Sequence, residues 1–535
     1  MATLLTRKTT GDTFSGIVPP PWFLAFAIAL EIICVLFVRA FPLVRIYDVP
    51  LMDLGKLTHL EYGPLAAYLA GLLLMWAIYV AGYRIALGTC HRRGLLWLVV
   101  SGAVLALTLS LLYPVTANDL FDTFFNARIL SHYHVNPLVV PAASFPNDPF
   151  MPYKAWVYEH AGDGPLWWEL SLVVSVPAGA NLLAVFLGLK LLVVVFFVAS
   201  IPLVWLAVER SHPEHAFAAT LLYAWNPVLL YEGAGNGHID LVMMFYVLSA
   251  WCALRYRRDW LVLPILALSV LTKFVTALLI VPVVWYLTRS AGGVRRLALR
   301  AASGVVALAL GAVVYAPLWS GLGSTVVEGR QKFITTSPAI LLQYYAGTHA
   351  WSMRLASLVG EHGGTDAPGT LARYATYAAF GLCYLWFAWR AGRSRRELLQ
   401  SCCMILFCYL AIATLWFQPW YLAWLVVPAA LMPTNTAMIR RMAVFGISSL
   451  APYYTFYIWV AKNQPLPWTT MQTITTLIIF VPVALLAAYD VCRWGQIGGL
   501  SERVGVRGDP ASSVSARIRE KKRPTADSRR LKVSE

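Results

Sequence analysis

The chain has 535 residues, of which 59% are hydrophobic and only 13% are charged, and its mean hydropathy is +0.64. Soluble domains are nearer half apolar and a quarter charged, so the composition excludes an ordinary soluble protein. Apolar runs of span length recur from Pro21 to Val491, and helices satisfy their own backbone polar groups in lipid. The sequence therefore predicts an all-α fold, a polytopic transmembrane helical bundle of 12–14 spans.

The net charge of +16 does not indicate nucleic-acid binding, because the basic residues gather in short loops and near the C-terminus. This distribution is typical of orientation signals and of contacts with anionic membrane lipids. The N-terminal region shows no cleavage site after a short apolar core, so we expect no removable signal peptide. The eight cysteines lie in or beside apolar runs without CxxC spacing, which indicates neither disulfides nor zinc.

The apolar runs predict the following spans in chain order. They are residues 22–42, 64–88, 94–113, 180–206, 215–231, 239–256, 260–271, 274–287, 300–319, 372–390, 398–416, 420–433, 442–460 and 469–491.

Arginine clusters between these spans predict the orientation. If all of them are cytoplasmic, both termini are cytoplasmic as well, in a multi-pass protein of the cell membrane. Residues 1–492 then form the transmembrane domain, and the basic segment 493–535 is expected to be a disordered cytoplasmic tail. The long segments 43–63, 114–179 and 320–371 fall outside the cytoplasm.

The first large outer segment opens with YPVTANDLFDTFFNARIL, residues 113–130. Helical spacing puts Asp119, Asp122 and Asn126 on one face, and Arg128 follows. A carboxylate at this position can act as the general base that deprotonates a sugar hydroxyl, while Arg128 can orient a phosphate or sugar. The structural alternative is a solvated helix start with acids in its first turn. Phe121, Phe124 and Phe125 point elsewhere and are expected to face lipid.

Two glycine-containing segments carry further polar side chains. In GDGPLWWELS, residues 162–171, Asp163 precedes a turn and a tryptophan pair that is equally typical of an interfacial aromatic belt. In NPVLLYEGAGNGHIDLVM, residues 226–243, the glycines suit a tight turn, but His238 and Asp240 at an apolar boundary favour substrate binding. Their spacing permits a divalent cation, but no further ligands are identifiable, so no cofactor is indicated.

Three intramembrane charges raise separate questions. Lys273 lies in the run 260–287, where the flanking arginines favour two short crossings or a re-entrant hairpin with Lys273 at the turn. There it either binds a lipid-linked phosphate or extends its ammonium to the interface. Glu31 and Lys190 would both lie near mid-depth, which predicts an ion pair between them.

The last motif is WFQPWYLAWLVVP, residues 416–428. Gln418 and Pro419 break two spans at an outer turn. Trp420 and Tyr421 can contact sugar faces or prenyl chains, and an aromatic belt is the alternative explanation.

Taken together, ANDLFDTFFNARILSHYHVNPL, DGPLWWELS, NPVLLYEGAGNGHIDLVM with LTKF, and FQPWYLAWL resemble motifs of the GT-C superfamily of polytopic glycosyltransferases. The chain looks most similar to bacterial polyprenol-phosphate-mannose-dependent mannosyltransferases. The resemblance implies inverting transfer from a polyprenyl-phosphate sugar to a glycolipid or glycan acceptor on the outer face. The expected base maps onto Asp119, and the family's glycine-rich His-Asn-Asp turn onto Gly237, His238 and Asp240. Ile239 stands where an asparagine is common.

The sequence leaves one alternative from another class open, a secondary transporter or lipid flippase. Such proteins are typically built from internal repeats around broken helices at mid-depth. The two halves of this chain show no repeat, but Glu31, Lys190 and the short crossings at 260–287 favour this class.

Overall fold

A computed structural model describes residues 19–87, 89, 93–319, 336–348, 367–462 and 465–505. Within these ranges the chain is helical and forms no β-strand, which confirms the predicted all-α class. The only paired extended backbone in this part is an isolated bridge between Pro42 and Leu112. The predicted outer segment 320–371 and the tail beyond residue 505 lie largely outside the described residues.

The helices of eight residues or more have the following bounds. They are Pro21–Ala40, Tyr62–Ala86, Gly94–Ser110, Asp119–His132, Pro165–Ala178, Leu182–Glu209, Ala216–Ala224, Asp240–Arg255, Val262–Thr272, Ile280–Arg289, Val294–Tyr315, Pro338–Thr348, Ala367–Ala391, Arg395–Cys408, Ala423–Ala430, Thr436–Ser448, Ala451–Ala461 and Trp468–Gly505.

The described part contains six helices long and apolar enough to cross a membrane, or seven if one bent pair forms a single span. That pair joins a π-helical turn, Leu229–Gly235, to Asp240–Arg255 with a bend of 118°. Several other apolar helices are shorter than a bilayer is thick. The protein is therefore a multi-pass membrane protein with broken as well as continuous spans.

Two of the predicted spans are broken and do not form one continuous helix each. The run 215–231 stops at Ala224 before Asn226-Pro227, and the run 442–460 divides into Thr436–Ser448 and Ala451–Ala461. Pro452 lies in the first turn of the later helix. Proline has no backbone N–H and its ring disrupts the preceding turn, so each break coincides with a proline that periodicity alone did not weigh.

The predicted break inside 260–287 is confirmed. Val262–Thr272 ends at Lys273, whose backbone is extended, and a 3₁₀ turn at Phe274–Leu279 leads into the next helix. Lys273 is buried within the protein.

Two other expectations were wrong. Phe121, Phe124 and Phe125 do not face lipid, because all three are buried in the protein core. Glu31 and Lys190 form no ion pair: Thr108 donates to Glu31, whereas Lys190 donates to the carbonyls of Leu109 and Leu112. Depth along a span does not determine which side of the helix faces which neighbour.

Contacts divide the chain into two units, Met1–Val483 and Ala484–Glu535. The first contains every candidate site residue. The described part of the second is the end of the last helix, which continues to Gly505.

Gly164 packs closely against the end of the helix Val262–Thr272, and a substitution at this glycine tests the packing that positions the outer segment. Its N–H bonds to the Thr272 carbonyl at 2.9 Å, and a Cβ there would lie 2.0 Å from the Leu271 carbonyl oxygen. Replacing Gly164 with Ala must displace backbone, so we expect a loss of about 1–3 kcal/mol in stability. Gly381, with nothing within 4 Å of its Cβ position, is the control: Gly381→Ala should not lower the unfolding midpoint in detergent. Equal midpoints for the two variants would contradict this packing.

Candidate functional site

The candidate site begins at the Asp119–His132 helix, whose first turn carries both predicted acids. Asp119 and Asp122 are three positions apart on this helix, but their surroundings differ. The Asp119 side chain is 49% exposed, whereas Asp122 is buried. Asp119 is therefore the carboxylate that a substrate can reach.

His238 connects this helix to the bent span. Its Nδ1 lies 3.4 Å from Asp119 Oδ2, and its Nε2 lies 3.6 Å from Glu232 Oε2. The ring stacks on Trp420 at 3.9 Å between centroids, with an angle of 16° between the planes. The structure thus brings together Asp119, His238 and Trp420, which are far apart in the sequence.

Gly237 allows His238 to reach this position. Its φ is +80°, a left-handed conformation that side chains strain, and its Cβ position would lie 3.2 Å from Leu120. The glycine lets the chain leave the π-helical turn closely packed on the Asp119–His132 helix.

A second cluster surrounds Lys273. Its ammonium lies 3.0 and 2.9 Å from the two oxygens of Asp240, and the Trp424 indole N–H donates to the same carboxylate. The ammonium also lies 5.0 Å from the centre of the Tyr421 ring, a cation–π distance. Lys273 is thus already paired inside the protein rather than extended to an interface.

The turn at Pro419–Leu422 and the helix that follows join the two clusters. Trp420 contacts His238, while Tyr421 and Trp424 contact the Lys273–Asp240 pair. Gln418 directly precedes this turn and is partly exposed. The predicted aromatic segment is therefore part of the same site, whatever its ligand.

Arg128 and Asp122 have partners within the outer segment. Arg128 Nε lies 2.7 Å from Asp148 Oδ2, which also accepts from Tyr133. Lys154 Nζ lies 2.8 Å from Asp122 Oδ1 and 3.3 Å from Asn126 Oδ1. These two pairs hold the loop against the helix that carries Asp119, and the predicted substrate contacts of Arg128 and Asp122 stay predictions.

Asp163 lies just before Gly164, and its carbonyl accepts from the Trp168 indole at 3.3 Å. This turn holds the start of the Pro165–Ala178 helix near the end of Val262–Thr272, because Gly164 bonds to Thr272. A substrate contact by Asp163 also stays a prediction.

The pKa values of the two outer-segment acids shift in opposite directions. Burial raises the pKa of Asp122, and Lys154 and the Trp156 N–H only partly oppose it. Burial also acts to raise the pKa of Asp148, but hydrogen bonds from Tyr133, the Phe150 N–H and Arg128 outweigh it and lower the pKa. Asp148 is thus a stable anion, and Asp122 depends on Lys154 to remain charged.

Sequence reasoning missed Lys154 and Tyr453 as members of the site, and it noticed Asn236 only as a polar residue of the glycine-rich turn. Tyr453 and Asn236 both donate to Glu232. Tyr453 lies in an apolar run whose composition predicts only a membrane span. The sequence offered two usable signals: Lys154 is a lysine in an acid-rich segment, and Asn236 is a polar residue at an apolar boundary.

No group of three or more His, Cys, Asp or Glu side chains in the described residues has the geometry to hold a metal ion. Searches with the sequence matched no protein-family model and no curated protein. The arrangement itself therefore carries the functional argument: an exposed carboxylate, an imidazole beside it, and a buried cation on an adjoining turn.

The Asp122–Lys154 pair yields a prediction with a pH signature. Lys154→Met removes the cation that opposes burial, so the pKa of Asp122 rises further. An unpaired buried carboxylate costs about 3–5 kcal/mol at about pH 7.5. The pKa of Asp122 is higher in the folded state than in the unfolded state, so the folded state takes up the proton first as the pH falls. Protonation removes the buried charge, and acidification therefore reduces this cost. The variant's deficit in unfolding midpoint should shrink between about pH 7.5 and about pH 5.

Lys56→Met is the matched control, since Lys56 lies 3.9 Å from Asp53 in an exposed pair. Its loss should cost less than about 1 kcal/mol at either pH. A Lys154→Met deficit that is equally small, or that grows on acidification, would contradict the buried pair.

Proposed function

We propose that this protein is an integral-membrane glycosyltransferase. It moves a hexose, with mannose as the leading candidate, from a polyprenyl-phosphate donor to a lipid or glycan acceptor on the extracytoplasmic face. The observation that carries the proposal is the half-exposed Asp119 carboxylate beside His238, with the Lys273–Asp240 pair on the adjoining turn.

Asp119 acts as the general base in this proposal. It accepts the proton of the acceptor hydroxyl as that oxygen forms a bond to the anomeric carbon of the sugar. The bond from that carbon to the phosphate oxygen breaks, and its electron pair leaves with the polyprenyl phosphate. Attack opposite the leaving group inverts the anomeric centre.

Lys273 is the proposed partner of the donor phosphate. An ammonium has three N–H donors, and the Asp240 carboxylate engages it through two oxygens. A cation close to the phosphate stabilises the charge that develops on the leaving group. Asp240 and the rings of Tyr421 and Trp424 keep this cation in position when no donor is bound.

An apolar cleft of about 50 Å³ lies beside the helix that begins at Asp240. It lies between the helices that carry Asp240, Lys273 and Trp424, and its lining is almost wholly apolar, with Met244, Leu266 and Pro428 among its residues. Its apolar lining suits part of a hydrocarbon chain better than a soluble nucleotide-sugar, and in this respect it supports a lipid-linked donor. The amide of Gln418, the rings of Trp420 and Tyr421, and the carboxylates of Asp122 and Asp163 are the proposed sugar contacts.

Replacing Asp119 with Asn tests the proposal, because it removes the base and keeps the side-chain shape. Loss of a general base typically lowers the rate by about 10²–10⁴-fold. The measurement is release of polyprenyl phosphate from polyprenyl-phosphate mannose by purified protein, with a glycolipid extract as acceptor. Glu159→Gln, an acid of the same outer segment that is partly exposed, is the control and should keep full activity. Full activity of Asp119→Asn would refute the assignment.

A transporter or lipid flippase is the second candidate, favoured by one specific observation. Two broken elements, the 118° bend before Asp240 and the break at Lys273, meet at a buried ion pair. Broken helices around a buried charge are typical of secondary transporters. In that case the reconstituted protein would move a lipid-linked sugar across vesicles without releasing polyprenyl phosphate.

A further inference from the structure

Glu232 is a buried acid beside the proposed base that plays no part in the proton transfer described above. It lies on the π-helical turn Leu229–Gly235 and is 2% exposed. A buried carboxylate costs several kcal/mol unless it is hydrogen-bonded or paired, so its surroundings should reveal what it does.

The partners of Glu232 hold its carboxylate in one orientation. Tyr453 donates to Oε1 at 2.5 Å, and Asn236 donates to Oε2 at 3.1 Å. Asn236 is held in turn by Thr116, at 2.7 Å. This network directs Oε2 toward His238 Nε2, which lies 3.6 Å away.

His238 Nε2 has no hydrogen-bond partner among the residues that the structure describes, and the histidine is 3% exposed. The gap to Glu232 is slightly longer than a hydrogen bond. Catalytic hydrogen bonds are often long in substrate-free structures and shorten in the complex. Trp420 stacks on the ring and limits its rotation.

Each ring nitrogen of His238 therefore faces a carboxylate, Asp119 on one side and Glu232 on the other. A neutral imidazole has one N–H and would direct a lone pair at one of them, whereas an imidazolium donates to both. Among the described residues, these two acids are the charged groups paired with the ring. Lys190 passes beneath Gly237, but its ammonium is turned to the carbonyls of Leu109 and Leu112.

We propose that Glu232 is a positioning residue that keeps His238 in the imidazolium form, so that the Nδ1–H orients the Asp119 carboxylate toward the acceptor hydroxyl. This inference rests on the proposed function. Glu232 and His238 exchange no proton in the reaction: the hydroxyl proton goes to Asp119, and the electron pair leaves with the phosphate. The negative charge of Glu232 offsets part of the positive charge that the imidazolium places beside Asp119.

Glu232→Gln tests the charge without changing the shape. The neutral amide no longer favours the imidazolium, so the basic limb of the kcat–pH profile should move about one to three units toward lower pH. Activity at about pH 7.5 should fall by about 10–100-fold and recover partly on acidification. A basic limb that stays in place would overturn the proposal.

Tyr453→Phe is the matched control, because it removes a hydrogen bond from the same carboxylate but keeps the charge. Its basic limb should stay in place even if its unfolding midpoint falls. If both variants lose activity equally and neither limb moves, Glu232 has only a structural role and the proposal fails.

A second measurement separates this inference from the proposed function. Nitrogen NMR of the full-length, histidine-labelled protein in detergent reports the protonation of His238 directly, with His238→Gln used to assign the signal. The wild type should show an imidazolium at about pH 7.5, and Glu232→Gln a neutral ring. This result in a protein that releases no polyprenyl phosphate would support the Glu232–His238 pairing while the transferase assignment fails. A neutral ring in an active wild type would overturn only the inference about Glu232.

Discussion

The pairing of two buried charges, Asp240 and Lys273, is the interaction on which the assembly of the site depends. Neither charge can be buried alone without a cost of several kcal/mol, so the two chain breaks that carry them must meet. Trp424 donates a hydrogen bond to the Asp240 carboxylate, and this bond positions the turn that precedes Trp424. That turn carries Trp420, whose ring fixes His238 beside Asp119. One local charge requirement thus orders segments that are far apart in the sequence.

The contrast between Asp119 and Asp122 shows how burial assigns different properties to neighbouring acids. Asp122 packs inward against Lys154 and helps to hold the outer segment, whereas Asp119, one turn earlier, remains half exposed. A carboxylate that accepts a proton from a substrate must be reachable, and one that anchors a loop must be paired. One helix face carries both the exposed acid and the buried acid, because the N-terminal end of the helix lies at the edge of the packed loop.

Much of the fold follows from local properties of the chain. Apolar length predicts the helices that are long enough to cross a membrane, and the arginines on either side of 260–287 favour a break at Lys273, which the structure contains. The failures have a common origin. The helix breaks before Pro227 and Pro452 depend on backbone geometry. The burial of Phe121, Phe124 and Phe125, and the lack of an ion pair between Glu31 and Lys190, depend on how each helix is rotated about its own axis. Hydropathy reports depth and contains no information on which neighbour a helix face meets.

For the site, the sequence by itself determined which polar residues stand at apolar boundaries: Asp119, His238, Asp240 and Lys273 are all visible because an ionisable side chain in such a place is costly. Only the tertiary structure decided their partners. It joined Lys273 to Asp240, set His238 between Asp119 and Glu232, and brought Tyr453 to the buried acid. The physical reason is that desolvation acts on each residue separately, so a polar residue in an apolar run can be recognised from the sequence. Its partner cannot, because pairing depends on distances that long-range packing creates.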